Sequence, residues 1–228
     1  MENTILKENV LKGAEFLVKE VPANSIFIPE DFNEEQLMIV DMCLDFINSR
    51  VLPESEKLEK TQDHPTIKRL LEEAGELGLL GAGFPVEYEG SAQDFLTTVL
   101  LTEVQSAGQA FSLTMGVQTG IGSLPILYFG NEDQKLKYLP GMVSGKLKAA
   151  YCLTEPGSGS DALAAKTWAE LSQDGEHYIL NGQKMWITNG GVADVFVVFA
   201  KIDGEKFTAF IVEADWEGVS RGAEEDKL

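Results

Sequence analysis

Two short stretches of this 228-residue chain carry side chains able to do chemistry. The first, Tyr151-Cys152-Leu153-Thr154-Glu155-Pro156-Gly157-Ser158-Gly159-Ser160-Asp161, leaves an apolar run, turns at Pro156 and offers only small residues from Gly157 to Ser160. In such a loop, backbone N–H groups and serine hydroxyls can approach a phosphate without Cβ interference. Its spacing is that of neither the dinucleotide-binding glycine fingerprint nor the P-loop, and no helical pattern follows it. The second stretch is Asn181-Gly182-Gln183-Lys184-Met185-Trp186-Ile187-Thr188-Asn189-Gly190-Gly191. Read as a strand over Lys184–Thr188, it places Trp186 and Thr188 on one face. An indole beside a hydroxyl suits a flat heteroaromatic cofactor, which needs an apolar wall and a hydrogen-bonding group near its ring nitrogens. Taken singly, the first stretch reads as a plain connection and the second as a core tryptophan beside a strand-end threonine.

The elements that must position these stretches fall into two halves. In the first, Asn33 with Gln36 forms a capping box, and Leu37, Val40, Leu44, Ile47 and Val51 then recur at three- and four-residue spacing until Pro53. A second helix starts at Pro65, runs through Ile67, Leu70, Leu71, Ala74 and Leu77, and stops at Gly78. A third follows Asp94, with Leu96, Val99, Leu100, Val104 and Ala107 on one side. Phe111 to Phe129 is almost uncharged, which predicts a helix buried on most sides. Asn131 and Gln134 open a short helix predicted to end before Pro140. Beyond Leu147, β-favouring runs alternate with Asp174-Gly175, Asn181-Gly182, Asn189-Gly190 and Asp203-Gly204. These dipeptides are strong hairpin signals because both central residues of a type I′ turn need positive φ. Strands are expected at 149–154, 166–172, 177–181, 184–188, 195–201 and 207–213. The fold class is therefore α+β: a helical domain over residues 1–150, then an antiparallel, barrel-like β domain over 151–228, incomplete and with no C-terminal helical domain after it.

With 18 Lys+Arg against 37 Asp+Glu, the net charge is −19, which argues against nucleic acid or an anionic membrane surface as a partner. A hydrophobic share of 44% excludes disorder. Cys43 and Cys152 have no partner spacing, and with only His64 and His177 besides, neither a disulfide framework nor a metal site is expected. The histidines read as solvated or capping groups. Met1–Glu8 is acidic where targeting peptides are not, and no membrane span is expected, so the compartment is predicted to be cytoplasmic.

Jointly, the two chemical stretches closely resemble the acyl-CoA dehydrogenase family of flavoenzymes. The helical half resembles it too, at Gly75-Glu76-Leu77-Gly78-Leu79-Leu80-Gly81, Phe84-Pro85-Val86-Glu87-Tyr88, Tyr128-Phe129-Gly130-Asn131-Glu132-Asp133-Gln134-Lys135 and Tyr138-Leu139-Pro140. Lys12-Gly13-Ala14-Glu15-Phe16-Leu17 and Ile28-Pro29-Glu30-Asp31-Phe32 are more like its very-long-chain branch. Tyr88-Glu89-Gly90-Ser91-Ala92 departs from the family's usual Tyr-Gly-Gly-x-Gly, which puts the path of that loop in question.

The resemblance implies FAD as cofactor and α,β-desaturation of an acyl-CoA as the reaction, a step of fatty acid β-oxidation. A carboxylate takes the α-proton while a hydride leaves the β-carbon for flavin N5. It implies that Tyr151, Cys152, Leu153 and Thr154 border the flavin, that Trp186 with Ile187 covers one face, and that Thr188 reaches N5. Gly159 and Ser160 would lie at the phosphates, with Ser160 also at the thioester arm of the substrate. Electron-transfer flavoprotein as acceptor and a homo-oligomer in the complete protein are implied as well. No catalytic residue is expected in this chain, because the family's base comes from a later helical domain; Glu155, beside Pro156, reads as bonding local backbone. The 228 residues are therefore expected to be inactive by themselves. Gly116, Gly120 and Gly122 in the buried helical stretch suggest either an acyl channel or close helix packing, and long acyl chains are favoured. Related oxidases, nitroalkane oxidases and flavin monooxygenases, or a scaffold without flavin, are the alternatives.

Overall fold

A computed structural model describes residues 11, 13–61 and 63–225. The acidic start Met1–Glu8, Lys12 and the last three residues, on which parts of the reading above fall, lie outside the described residues.

Among the described residues seven α-helices precede the sheet: α1 (Glu34–Phe46), α2 (Ser55–Thr61), α3 (His64–Glu76), α4 (Phe95–Gln105), α5 (Ala110–Thr119), α6 (Leu124–Phe129) and α7 (Glu132–Val143). Their starts are where capping chemistry puts them. Asn33 and Asn131 each close a reciprocal box with the glutamine three residues on, and the Asp63 and Asp94 carboxylates accept the N–H groups of Thr66 and Thr97. From α1 the chain runs through a wide turn (Ile47–Val51) and a tight one at Pro53 into α2. Helix α1 buries Gln36, whose amide donates to the Thr97 hydroxyl (3.3 Å), and Cys43 and Phe46, which pack with Leu70, Leu71 and Phe111, whereas Leu37 and Leu44 of the expected stripe are exposed. Ile47 and Val51, the last two members of that expected stripe, are fully buried in the same core.

Phe111–Phe129 is not one helix. It breaks at residues 120–123 into α5 and α6, and it is not buried on most sides: Leu113, Ile121 and Tyr128 are exposed and Phe129 is 87% exposed. By length and composition this stretch could cross a membrane, but its inner face packs into the core through Phe111, Met115, Val117 and Ile126. Helix α7 runs past Pro140 to Val143, beyond the predicted stop. Proline removes one intrahelical donor there, while burial of Leu139, Met142 and Val143 and the Ser144 hydroxyl on the Pro140 carbonyl (2.9 Å) hold the turn.

Among the described residues the β half is one open five-stranded sheet, not a barrel, and it is mixed, not antiparallel: β1 (Ala149–Cys152), β2 (Trp168–Leu171), β3 (Tyr178–Asn181), β4 (Val195–Ile202) and β5 (Lys206–Glu213). Strand β4 is the spine. One edge pairs antiparallel with β5 over its full length, and the other pairs in parallel first with β1 and then with β2, which carries β3. Two of the four turn dipeptides make hairpins, Asp174-Gly175 between β2 and β3 and Asp203-Gly204 between β4 and β5, the latter with φ of 54° and 76°. At Asn181-Gly182 the chain stays extended, and Asn189 (φ 66°) spends its left-handed turn outside the ladder. The expected strand at 184–188 is an irregular segment.

Strand β1 joins the halves. Ala149 and Tyr151 face the helices with Ile126, Leu139 and Met142, while Ala150 and Cys152 face Ala193, Phe196 and Ile187. Gln118 of α5, 1% exposed, donates to the carbonyls of Met142 and Leu147 (2.9 and 2.8 Å) and accepts the Ala149 N–H (2.8 Å). The loop before α4 has its own path: Glu89 and Ala92 are left-handed, and Gly90 lies so close that a Cβ would sit 2.0 Å from the Phe84 carbonyl oxygen.

Candidate functional site

The loop after β1 begins with a turn closed on both sides: Glu155 N–H donates to Ser158 O (2.9 Å) and Ser158 N–H to Glu155 O (3.1 Å). The Ser158 hydroxyl is committed to the Asp161 carbonyl (2.8 Å). Glu155 is 6% exposed and accepts from Lys166 N–H (2.6 Å), Thr167 N–H (3.0 Å) and the Lys184 ammonium (2.7 Å). Burial pushes this carboxyl up, but Lys184, Thr167 and the backbone N–H of Lys166 outweigh it and hold it at about 2. A carboxylate so bound cannot take a proton near neutral pH, in line with its reading as a backbone-bonded group.

Lys184 brings the two motif stretches together. Its ammonium reaches Leu153 O at 3.1 Å as well as Glu155, and the next residue donates from Met185 N to Thr154 O at 3.0 Å. Beyond this clamp Trp186 stands 63% exposed with φ of 57°, an uncommon conformation for a bulky residue. Ile187 then turns inward beside Cys152 and Ala150. Trp186 and Thr188 are both exposed, but they do not share a strand face, because the kink at Trp186 replaces the pleat. Asn189 fastens the far end, donating to the carbonyls of Thr114 (3.1 Å) and Ala149 (3.2 Å).

The candidate residues separate into two groups. Cys152 lies in the core behind β1, its thiol pushed up to about 12 by burial despite the Lys184 charge, so only its backbone is open to the loop side. Tyr151 packs edge-on against Phe199 at 5.0 Å, its phenol raised by burial. By contrast, the hydroxyls of Thr154, Ser160 and Thr188 and the Trp186 indole take no hydrogen bond from the protein among the described residues. Side chains built at Gly157 or Gly159 would meet nothing. Uncommitted donors, an open glycine edge and a bare indole fit a flat ligand with phosphates, held by neutral groups in an acidic chain. Lys184 was not among the candidates, although its charge inside the motif was the available signal. Of the three glycines read as lying in one buried helix, only Gly116 is helical and it borders open space; Gly120 and Gly122 fall in the break after α5 and are closely packed, with Cβ positions 2.6 Å from Gly116 O and 2.8 Å from Val117 O.

Residues 33–146 match the family described as acyl-CoA dehydrogenase, N-terminal domain, and residues 150–228 match its middle domain. The chain belongs to the acyl-CoA dehydrogenase family. A Bacillus subtilis (strain 168) protein described as "Probable acyl-CoA dehydrogenase" is 53% identical over 220 residues, which are 96% of this chain and 37% of that protein. The mitochondrial isovaleryl-CoA dehydrogenase of Pongo abelii is 36% identical over 203 residues, 86% of this chain and 48% of its own length. The crystal structure of a Bacillus anthracis acyl-CoA dehydrogenase complexed with FAD superposes with a TM-score of 0.90 at 55% identity, covering 96% of this chain and 37% of that one. The chain thus spans between 37% and 48% of the length of these acyl-CoA dehydrogenases.

Proposed function

We propose that these residues form the flavin-holding part of an FAD-dependent acyl-CoA dehydrogenase that desaturates fatty acyl-CoA, with long chains favoured. The observation that carries this reading is the clamp between Leu153–Glu155 and Lys184–Met185, which joins two stretches distant in sequence and leaves Thr154 and Ser160 on one and Trp186 and Thr188 on the other uncommitted, with an open glycine edge. The FAD-complexed Bacillus anthracis relative supports it.

When bound, the flavin supplies the acceptor for the hydride that leaves the acyl β-carbon. Trp186 offers the apolar wall and keeps water from one side of the site. The Thr188 hydroxyl donates a hydrogen bond where charge accumulates on reduction, and Thr154 orients the polar ring edge. Backbone N–H groups around Gly157 and Gly159, with the Ser160 hydroxyl, hold phosphate and the thioester-bearing arm without formal charge. Glu155 takes no proton; the carboxylate that removes the α-proton belongs to a part of the family's length that these residues do not span. Electron-transfer flavoprotein as electron acceptor, a homo-oligomeric assembly and a cytoplasmic location complete the proposal.

Protein purified from a flavin-supplied host tests this in two steps. Bound flavin absorbance is expected, with no acyl-CoA-dependent reduction of an electron acceptor by the 228 residues alone. Purified protein that neither retains nor takes up flavin would refute the cofactor assignment, and sustained turnover would refute the assignment of the base elsewhere.

A further inference from the structure

Glu155 and Lys184 are almost fully enclosed, and the proposed reaction uses neither. Their side chains are 5% and 10% exposed, 29 residues apart in sequence, and meet at 2.7 Å. Burying two charges costs several kcal/mol per ion, which their attraction roughly repays, and a well-packed apolar pair generally folds as well or better. Stability therefore does not explain them. What an apolar pair could not do is fix the path of residues 184–187. That segment has no strand ladder; besides the packing of Ile187 and a local turn bond from Gly190 N–H to Ile187 O (2.8 Å), it is held by Lys184 on Leu153 O and Glu155 and by Met185 N on Thr154 O. Trp186 follows at once, in a left-handed conformation that persists only when the surroundings over-determine it.

We propose that Lys184 is a positioning residue: bridging Leu153 O and Glu155, it holds the loop and the Trp186 kink at one fixed spacing, so that the indole and Thr154 face the same ligand. This rests on the flavin reading for what the ligand is, but its test separates the two. Lys184→Met alone would strand a buried carboxylate, so the pair is replaced together as E155Q/K184M. That variant is expected to stay folded while melting several degrees below the wild type, because the introduced glutamine has one acceptor oxygen where Glu155 uses two for the Lys166 and Thr167 N–H groups, and Leu153 O loses its donor. Its Met185 amide should nonetheless exchange hydrogen at least about tenfold faster, with amides of β4 and β5 unchanged, and its FAD affinity should fall at least about tenfold. Wild-type exchange at Met185 in the folded double variant would overturn the proposal, whatever the flavin result. If the wild type binds no FAD, the flavin reading falls while the exchange rates still decide the role of Lys184. Lys184→Gln, a shorter neutral donor unable to reach both acceptors, gives the same readout should the double variant not fold, and unchanged exchange there would count equally against the proposal.

Discussion

Replacing Gln118 with leucine keeps nearly the same volume and removes three hydrogen bonds at the junction of helices and sheet. In the variant Met142 O keeps the Gly145 N–H at 3.2 Å, so two groups lose their partner: the Ala149 N–H, at a fully buried residue, and the carbonyl of half-buried Leu147. Each buried group left unpaired costs about 1–3 kcal/mol, which gives about 4 kcal/mol for the pair once some water access at Leu147 is allowed for. For a chain of this size, about 2–4 °C per kcal/mol makes this a fall in Tm of roughly 8–16 °C. Thermal unfolding followed by far-UV circular dichroism measures it, and urea unfolding with an unchanged m-value would show that native stability is what moved. A fall below about 3 °C would refute the reasoning that Gln118 welds β1, and the loop that leaves it, to the helices.

Acid should weaken the fold between about pH 4.5 and 2. Arg50 and Arg69 hold Glu73, and Lys57 with Thr66 holds Asp63, each at about 2, as Lys184 helps to hold Glu155. A depressed carboxyl contributes stability that is present above its unfolded value and lost as pH falls through its folded one, so Glu155→Gln should show a shallower loss in an acid titration of Tm; an identical profile would count against the buried ion pair. Burial pushes Cys43 up to about 11 and Cys152 up to about 12, so neither thiol should react with a disulfide reagent at about pH 8 until denaturant is added. Trp186→Gly removes a left-handed strain of about 1–2 kcal/mol against glycine's extra unfolded-state entropy, so stability should stay level or rise by about 1 kcal/mol while FAD affinity drops. A loss of stability above about 1 kcal/mol would show that the kink is not strained.

Local chemistry in the sequence was a good guide wherever one residue decides the outcome. The capping pairs at Asn33 and Asn131, the Asp-Gly hairpins and the stop at Gly78 (φ 75°) all depend on neighbours within a few positions. Asn-Gly misled at residues 181–182 and 189–190, because tertiary partners claim those turns: Thr167 crowds Gly182, and Asn189 is drawn to Thr114 and Asn189's second acceptor, the Ala149 carbonyl. The parallel pairings of β4 with β1 and β2 join segments dozens of residues apart, and period-two alternation carries no information about strand direction. At the site, the residue types were legible but their arrangement was not. Trp186 and Thr188 read as strand neighbours, whereas the Lys184 clamp and the left-handed kink, both tertiary effects, decide where each points into solvent.

The central claim is that Trp186 forms a wall of a flavin site. It is tested most directly in a protein whose other two tryptophans, Trp168 and Trp216, are replaced by phenylalanine, so that Trp186 alone reports. Titrated with FAD, its fluorescence should quench saturably, and unlabelled adenosine diphosphate, which lacks the ring to stack, should not reproduce the effect. Quenching that rises linearly without saturation, or that is equal with and without the flavin ring, would contradict the account.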